Sequence, residues 1–170
     1  MQNGFVEILL TLSFKNTKKM KTDLNRFLQA QENSYADALK EMKNGKKTSH
    51  WMWYVFPQIK GLGRSSMARE YEIQDLAEAK AYLHDEILGE RLSALTGILV
   101  NDVQGKSAEQ IFGYPDFLKF HSCLTLFEYV ANTENFTDEK FNVFQQALEK
   151  YYGGKKDENT LKIIEENFSV

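Results

Sequence analysis

Apolar residues recur along most of the chain at steps of three and four. Leu24, Phe27, Leu28, Tyr35, Ala38, Leu39 and Met42 form the first series, with Thr22 or Asp23 placed to cap its start and Gly45 to end it. This spacing predicts one long amphipathic helix. A second stripe, Leu88, Leu92, Leu95 and Leu99, runs to Asn101, and the helix before it, "LAEAKAYLH", is announced by the capping pair Asp75 and Glu78. Ser107 and Gln110 form another capping pair, for a short turn of helix ending at Gly113. Asp116 then opens "FLKFHSCLTLFEYVA", in which Phe117, Phe120, Leu124, Phe127 and Ala131 share a side. Phe141, Phe144, Leu148 and Tyr151 continue the helical period until Gly153 and Gly154 stop it, and Asp157 caps a last helix carrying Leu161 and Ile164. No hairpin turn and no alternating strand pair stands out after Met20. The fold expected is all-α, one compact multi-helix domain over residues 22–168.

Two stretches break this regularity. Residues 1–21 hold the apolar run "FVEILLTLSF" followed by the basic "KNTKKMK", a run too short to span a bilayer as a helix and without the flanks of a secretory signal. We expect an N-terminal extension outside the core, or an added edge strand at Phe5 to Phe14. The other break is "KKTSHWMWYVFPQIKGLGRSSM", Lys46 to Met67, which gathers both tryptophans with His50, Pro57, Gly61 and Gly63. Pro57 disfavours helix at Phe56, so "WMWYVF" is a short strand or a single helical turn. Gly61 and Gly63 then lead into a helix beginning at or just after Ser65. A glycine turn feeding a helix start, with Arg64 beside it, outlines an anion site. It has neither the length and Lys-Ser/Thr ending of a P-loop nor the third glycine of a dinucleotide fingerprint.

Composition narrows the chemistry. A chain of 170 residues can bury a full core, and its net charge of −3 carries no strong nucleic-acid signature. The single Cys123 forms no internal disulfide, which fits a reducing, cytoplasmic setting. His121 and Cys123 sit two apart on a predicted helix and point away from each other, so no metal site and no cofactor is expected. No Gly-x-Ser-x-Gly elbow is present. Asp116, Lys119, Ser122 and Thr125 recur at steps of three and drift along one helical face. Beside the tryptophan segment they suggest a ligand site: Trp51, Trp53, Gln58, Gly61, Gly63, Arg64, Ser65, Lys119 and Ser122 as binding residues, Asp116 and His50 as the candidates for proton transfer. The partner implied is a phosphorylated or nucleotide-like small molecule. A non-catalytic interaction module, its aromatic segment packed on another protein, is the alternative.

Four stretches, "SHWMWYVFPQIKGLGRSSMA", "YEIQDLAEAKAYLHDEILGERL", "IFGYPDFLKFHSCLTLF" and "YYGGKKDENTL", resemble in their order a family catalogued as domain of unknown function eighteen-ten. The resemblance spans about Leu24 to Leu161 and implies a compact helical domain, with no established activity. Some members carry a calpastatin-like label, which implies a disordered, proline-rich inhibitor; two prolines and 13% aromatic residues do not fit that. More distantly, the aromatic segment after Thr-Ser, the Leu-rich "LHDEILGERLSALTG" and the "IFG" turn are similar to NADAR proteins, associated with ADP-ribose and N-glycosidic chemistry. That similarity implies a nucleotide-sugar pocket. The glutamate those proteins carry in their Ser-Glu-His words is missing from Ser49-His50-Trp51.

Overall fold

The computed structural model describes residues 22–168; the extension 1–21, with its candidate strand at Phe5 to Phe14, lies outside them. Among the described residues ten α-helices and one 3-10 turn follow each other: α1 Asn25–Glu32, α2 Tyr35–Lys43, α3 Met52–Val55, α4 Ser66–Tyr71, α5 Leu76–His84, α6 Leu88–Asn101, α7 Ala108–Phe112, α8 Asp116–Thr133, the 3-10 turn Glu139–Asn142, α9 Val143–Tyr152 and α10 Glu158–Phe168. Among the described residues there is no strand, only an isolated parallel bridge between Ile59 and Ile73. The fold is all-α. No described helix is long and apolar enough to cross a membrane.

The leucine stripe explains the centre of the molecule. Leu88, Leu92, Leu95 and Leu99 are all buried on α6, which packs against α2, α5 and α9, while α8 packs against α5, α7, α9 and α10. Phe120, Leu124 and Phe127 give α8 its buried side. Phe56, directly before Pro57, closes edge to face on both Phe112 and Phe120, with ring centroids 5.8 and 5.1 Å apart, and so fastens the irregular segment to α7 and α8.

The first helix differs from the expectation. The series from Leu24 to Met42 is broken at Asn33 and Ser34 into α1 and α2. Gln31, fully buried, donates from Nε2 to Tyr54 O at 2.8 Å and to Tyr82 Oη at 3.0 Å, and the Ser34 hydroxyl lies 2.7 Å from Tyr54 Oη. Asp23 does help to start α1, its Oδ1 accepting from the Asn25 amide at 2.9 Å. The later caps follow the pattern closely. Ser107 and Gln110 form a full reciprocal box, whereas Asp75 accepts from the Glu78 amide but Glu78 turns its carboxylate to the Gln74 amide and to Arg26.

Candidate functional site

The aromatic segment is shaped by a residue of the preceding helix. Ala38, Glu41 and Met42 share the buried face of α2, so Glu41 carries a carboxylate into the interior, where it is 7% exposed. Its Oε2 accepts from the Thr48 amide at 2.8 Å, the Ser49 amide at 3.1 Å and Trp51 Nε1 at 2.8 Å. Burial by itself raises such a carboxyl's proton affinity, but the Ser49 side chain, the two amides and the indole outweigh it and hold the group at about 2. Glu41 is therefore a permanent anion around which residues 48–51 turn. Met52 to Val55 then form one helical turn, one of the two forms the sequence allowed. Trp51 faces inward, 1% exposed and against Phe56, while Trp53 remains half-buried at the surface.

Around Trp53 the chain assembles a small charged cluster. The Lys47 amide donates to Ile111 O at 2.8 Å, which ties this strand of loop to α7. Asp116, in the first turn of α8, receives Lys47 Nζ at 2.8 Å on Oδ2 and Lys119 Nζ at 3.4 Å on Oδ1. Each ammonium also lies over an indole, Lys47 at 5.2 Å from the Trp51 ring and Lys119 at 5.0 Å from the Trp53 ring. Two cations about one carboxylate leave the cluster with a net positive charge. His50 is exposed at the start of the same segment, its carbonyl accepting weakly from Tyr54 Oη at 3.5 Å. On the α8 side, Tyr114 is 77% and Leu118 45% exposed.

Of the residues singled out from sequence, Trp51, Trp53, Asp116 and Lys119 meet in this cluster, joined by Lys47, which the pattern did not mark. Ser122 goes elsewhere. It is buried, and its hydroxyl donates to Leu118 O at 3.1 Å and to Asp157 Oδ2 at 3.2 Å, while Thr125 Oγ1 accepts from the Asp157 amide at 2.9 Å. Both hydroxyls dock the start of α10. The glycine turn forms a further group around the Ile59–Ile73 bridge, where the Gln58 carbonyl accepts from the Ile73 amide at 2.8 Å. Gly61, with φ of +105°, lines a cleft with Lys60, Gln74, Ile163 and Phe168. Gly63 has a steric role, since a Cβ there would stand 2.3 Å from the Ala68 Cβ. Ser65 Oγ accepts from the Ala68 amide at 3.1 Å, so the start of the six-residue α4 already has its own cap, and Arg64 projects into solvent.

Among the described residues no three His, Cys, Asp or Glu side chains are grouped to hold a metal ion. Cys123 is buried in the core, where desolvation pushes its thiol well up. Lys47 and Glu41 left faint traces in the sequence. Glu41 is a charged residue on an otherwise apolar helical face; Lys47 reads as one of several surface lysines, and its partner lies 69 positions ahead.

Residues 21–164 match the family described as "Protein of unknown function (DUF1810)". Among solved structures, the conserved hypothetical protein Rv1873 from Mycobacterium tuberculosis is 44% identical over 83% of this chain and 95% of its own, with a TM-score of 0.76. No curated protein matches the chain. Neither description names a calpastatin or a NADAR protein. With the family match spanning most of the chain, and with a helical relative of this identity and coverage, the protein belongs to the DUF1810 family.

Proposed function

We propose that this chain is a small-ligand-binding protein whose site is the face formed by Trp53, Lys47, Asp116, Lys119 and His50, and whose ligand is an anionic, ring-bearing molecule of nucleotide type. The observation that carries this reading is the pairing of Lys119 with both Asp116 and the half-buried face of Trp53. A planar ring stacks on the outer indole while its phosphate draws on the two ammonium groups, which Asp116 holds in place between visits of the ligand. His50 adds an uncommitted imidazole at the edge. Hydrolysis of an N-glycosidic bond is the catalytic form of this reading, with His50 and Asp116 moving the proton. Asp116 must then release at least one lysine. Glu41, the carboxylate nearest to Ser49-His50-Trp51, stays ionised at neutral pH and serves the segment's shape instead.

The test is a thermal-shift screen of the full chain against nucleotides, ADP-ribose and sugar phosphates, since a ligand at a hundredfold its Kd adds roughly 2.7 kcal/mol of stability. A hit should be weakened more than tenfold by Lys119→Ala and by His50→Ala, as expected when a charge-assisted hydrogen bond worth about 1.5–3 kcal/mol is lost. Binding that is unchanged in both variants removes the site. A second reading is favoured by the exposure of Tyr114 and Leu118 beside this face, which suits a protein partner. Tyr114→Ser and Leu118→Ser separate the two: they abolish partner binding and leave the small-ligand shift intact.

A further inference from the structure

A different part of the molecule holds a guanidinium with little to do. Arg91, half-buried on α6, makes a hydrogen bond of 3.4 Å to Gln31 Oε1 and stacks over the Tyr35 ring at 4.5 Å. Among the described residues no carboxylate lies within ion-pairing distance of it. Gln31 is itself fixed in the core by Tyr54 O and Tyr82 Oη, so the hydrogen-bond partner of Arg91 is held in place. The guanidinium plane is thereby oriented while most of its five N–H donors stay free. It opens on a cleft of about 350 Å³ lined with Leu28, Gln29, Glu32 and Ile87. Ile87 is 48% exposed, one of the few large apolar side chains that the described residues leave in water.

We infer that this cleft binds an aliphatic monocarboxylate, its head taken in a fork by Arg91 and its chain laid between Leu28 and Ile87. A free, pre-oriented guanidinium is the group that proteins use for planar bidentate anions, and a carboxylate matches its fork. The volume is that of a small-ligand site. The surrounding charges set the valence. Glu32 lines the cleft and Glu90 neighbours Arg91 on the same helix, with Glu90 drawn off by Lys140 at 3.1 Å. A second negative charge on the ligand would meet Glu32, so one carboxylate and an uncharged tail fit best. This site shares no residue with the Trp53 face.

The experiment titrates the isotope-labelled full chain with sodium hexanoate, with the alcohol of equal chain length, and with sodium chloride at matched ionic strength, following backbone amide resonances. Hexanoate should give saturable shifts confined to the neighbourhood of Leu28, Gln29, Ile87 and Arg91, and the alcohol and chloride should not. Arg91→Gln should weaken hexanoate at least about tenfold, the effect of losing a charged hydrogen-bond pair. Ile87→Ser, at a position already half in water, should weaken it severalfold without touching the fold and stands as the measure should Arg91→Gln not fold. Equal binding of acid and alcohol, shifts scattered over the surface, or hexanoate binding unchanged by either substitution overturns the inference.

Discussion

Glu41 decides more of the local structure than any other single side chain near the site. Three donors converge on one oxygen of a carboxylate that has lost most of its water. Glu41→Ala leaves two amides and an indole N–H without their acceptor, which should cost about 3 kcal/mol or more in urea denaturation. The same group predicts a pH dependence. Its folded value, about 2, lies below the usual glutamate value of roughly 4.3, so its stabilisation is complete above pH 5 or so and is lost as pH falls through the interval between the two values. Denaturation midpoints of the parent should fall across that interval by the equivalent of about 3 kcal/mol more than those of Glu41→Gln. Parallel curves for parent and variant would show that the carboxylate is not held in this way. The glycines give a contrast at the same scale. Gly63→Ala drives a Cβ into Ala68, an overpacking change of about 1–3 kcal/mol, whereas Gly61→Ala has room beside Ile163 and suffers only its left-handed backbone, about 1–2 kcal/mol. Thermal melts of the two variants check the pair. Neither Glu41 nor Lys47 could be assigned from sequence, because Glu41 acts on groups that the loop between α2 and α3 folds back onto it, and Lys47 acts on Asp116, 69 positions away on α8.

At the scale of elements, the helices with regular stripes and side-chain caps were legible, and the departures occurred where polar side chains turn inward. The stripe of α6 and the box of Ser107 with Gln110 are local facts of spacing, and local facts survive folding. The break at Asn33–Ser34 is not local. Beside it, Gln31 reaches Tyr54 and Tyr82, and Ser34 reaches Tyr54, on α3 and α5. Likewise Ser122 and Thr125 sit at helical spacing with Asp116, yet they serve the Asp157 cap, whose Oδ2 also accepts from the Thr160 amide at 2.9 Å and the Thr160 hydroxyl at 2.6 Å. Two caps of one type should therefore differ in strength. Ser107→Ala loses an exposed box and should cost about 1 kcal/mol, while Asp157→Ala undoes a half-buried junction of α8 and α10 and should cost about 2–3 kcal/mol. Urea titrations with equal m-values measure the difference, and equal losses would mean that α10 is held by its apolar face alone.

The whole molecule raises the question of how much chain is needed to close its core. Phe27 of α1 is fully buried against Tyr71 and Tyr82, with centroids at 6.3 and 5.2 Å, so the described structure uses its residues from the first helix onward. Arg26 binds the same helix to the 70–78 segment, donating to Glu70 O at 3.0 Å, Glu72 O at 2.9 Å and the Glu78 carboxylate. The family match begins at residue 21, and the relative of 44% identity is covered over 95% of its length by 83% of this chain. We expect the folding unit to lie within residues 22–168. Deleting residues 1–19 should then leave a cooperative helical melt with a midpoint within a few degrees of the parent, because a change of 1 kcal/mol moves Tm by roughly 2–4 °C in a domain of this size. The opposite result has a specific meaning. A melt that broadens, or that drops by ten degrees or so, would show that Phe5 to Phe14 buries apolar surface against this core, and the boundary at residue 22 would have to move to the start of the chain.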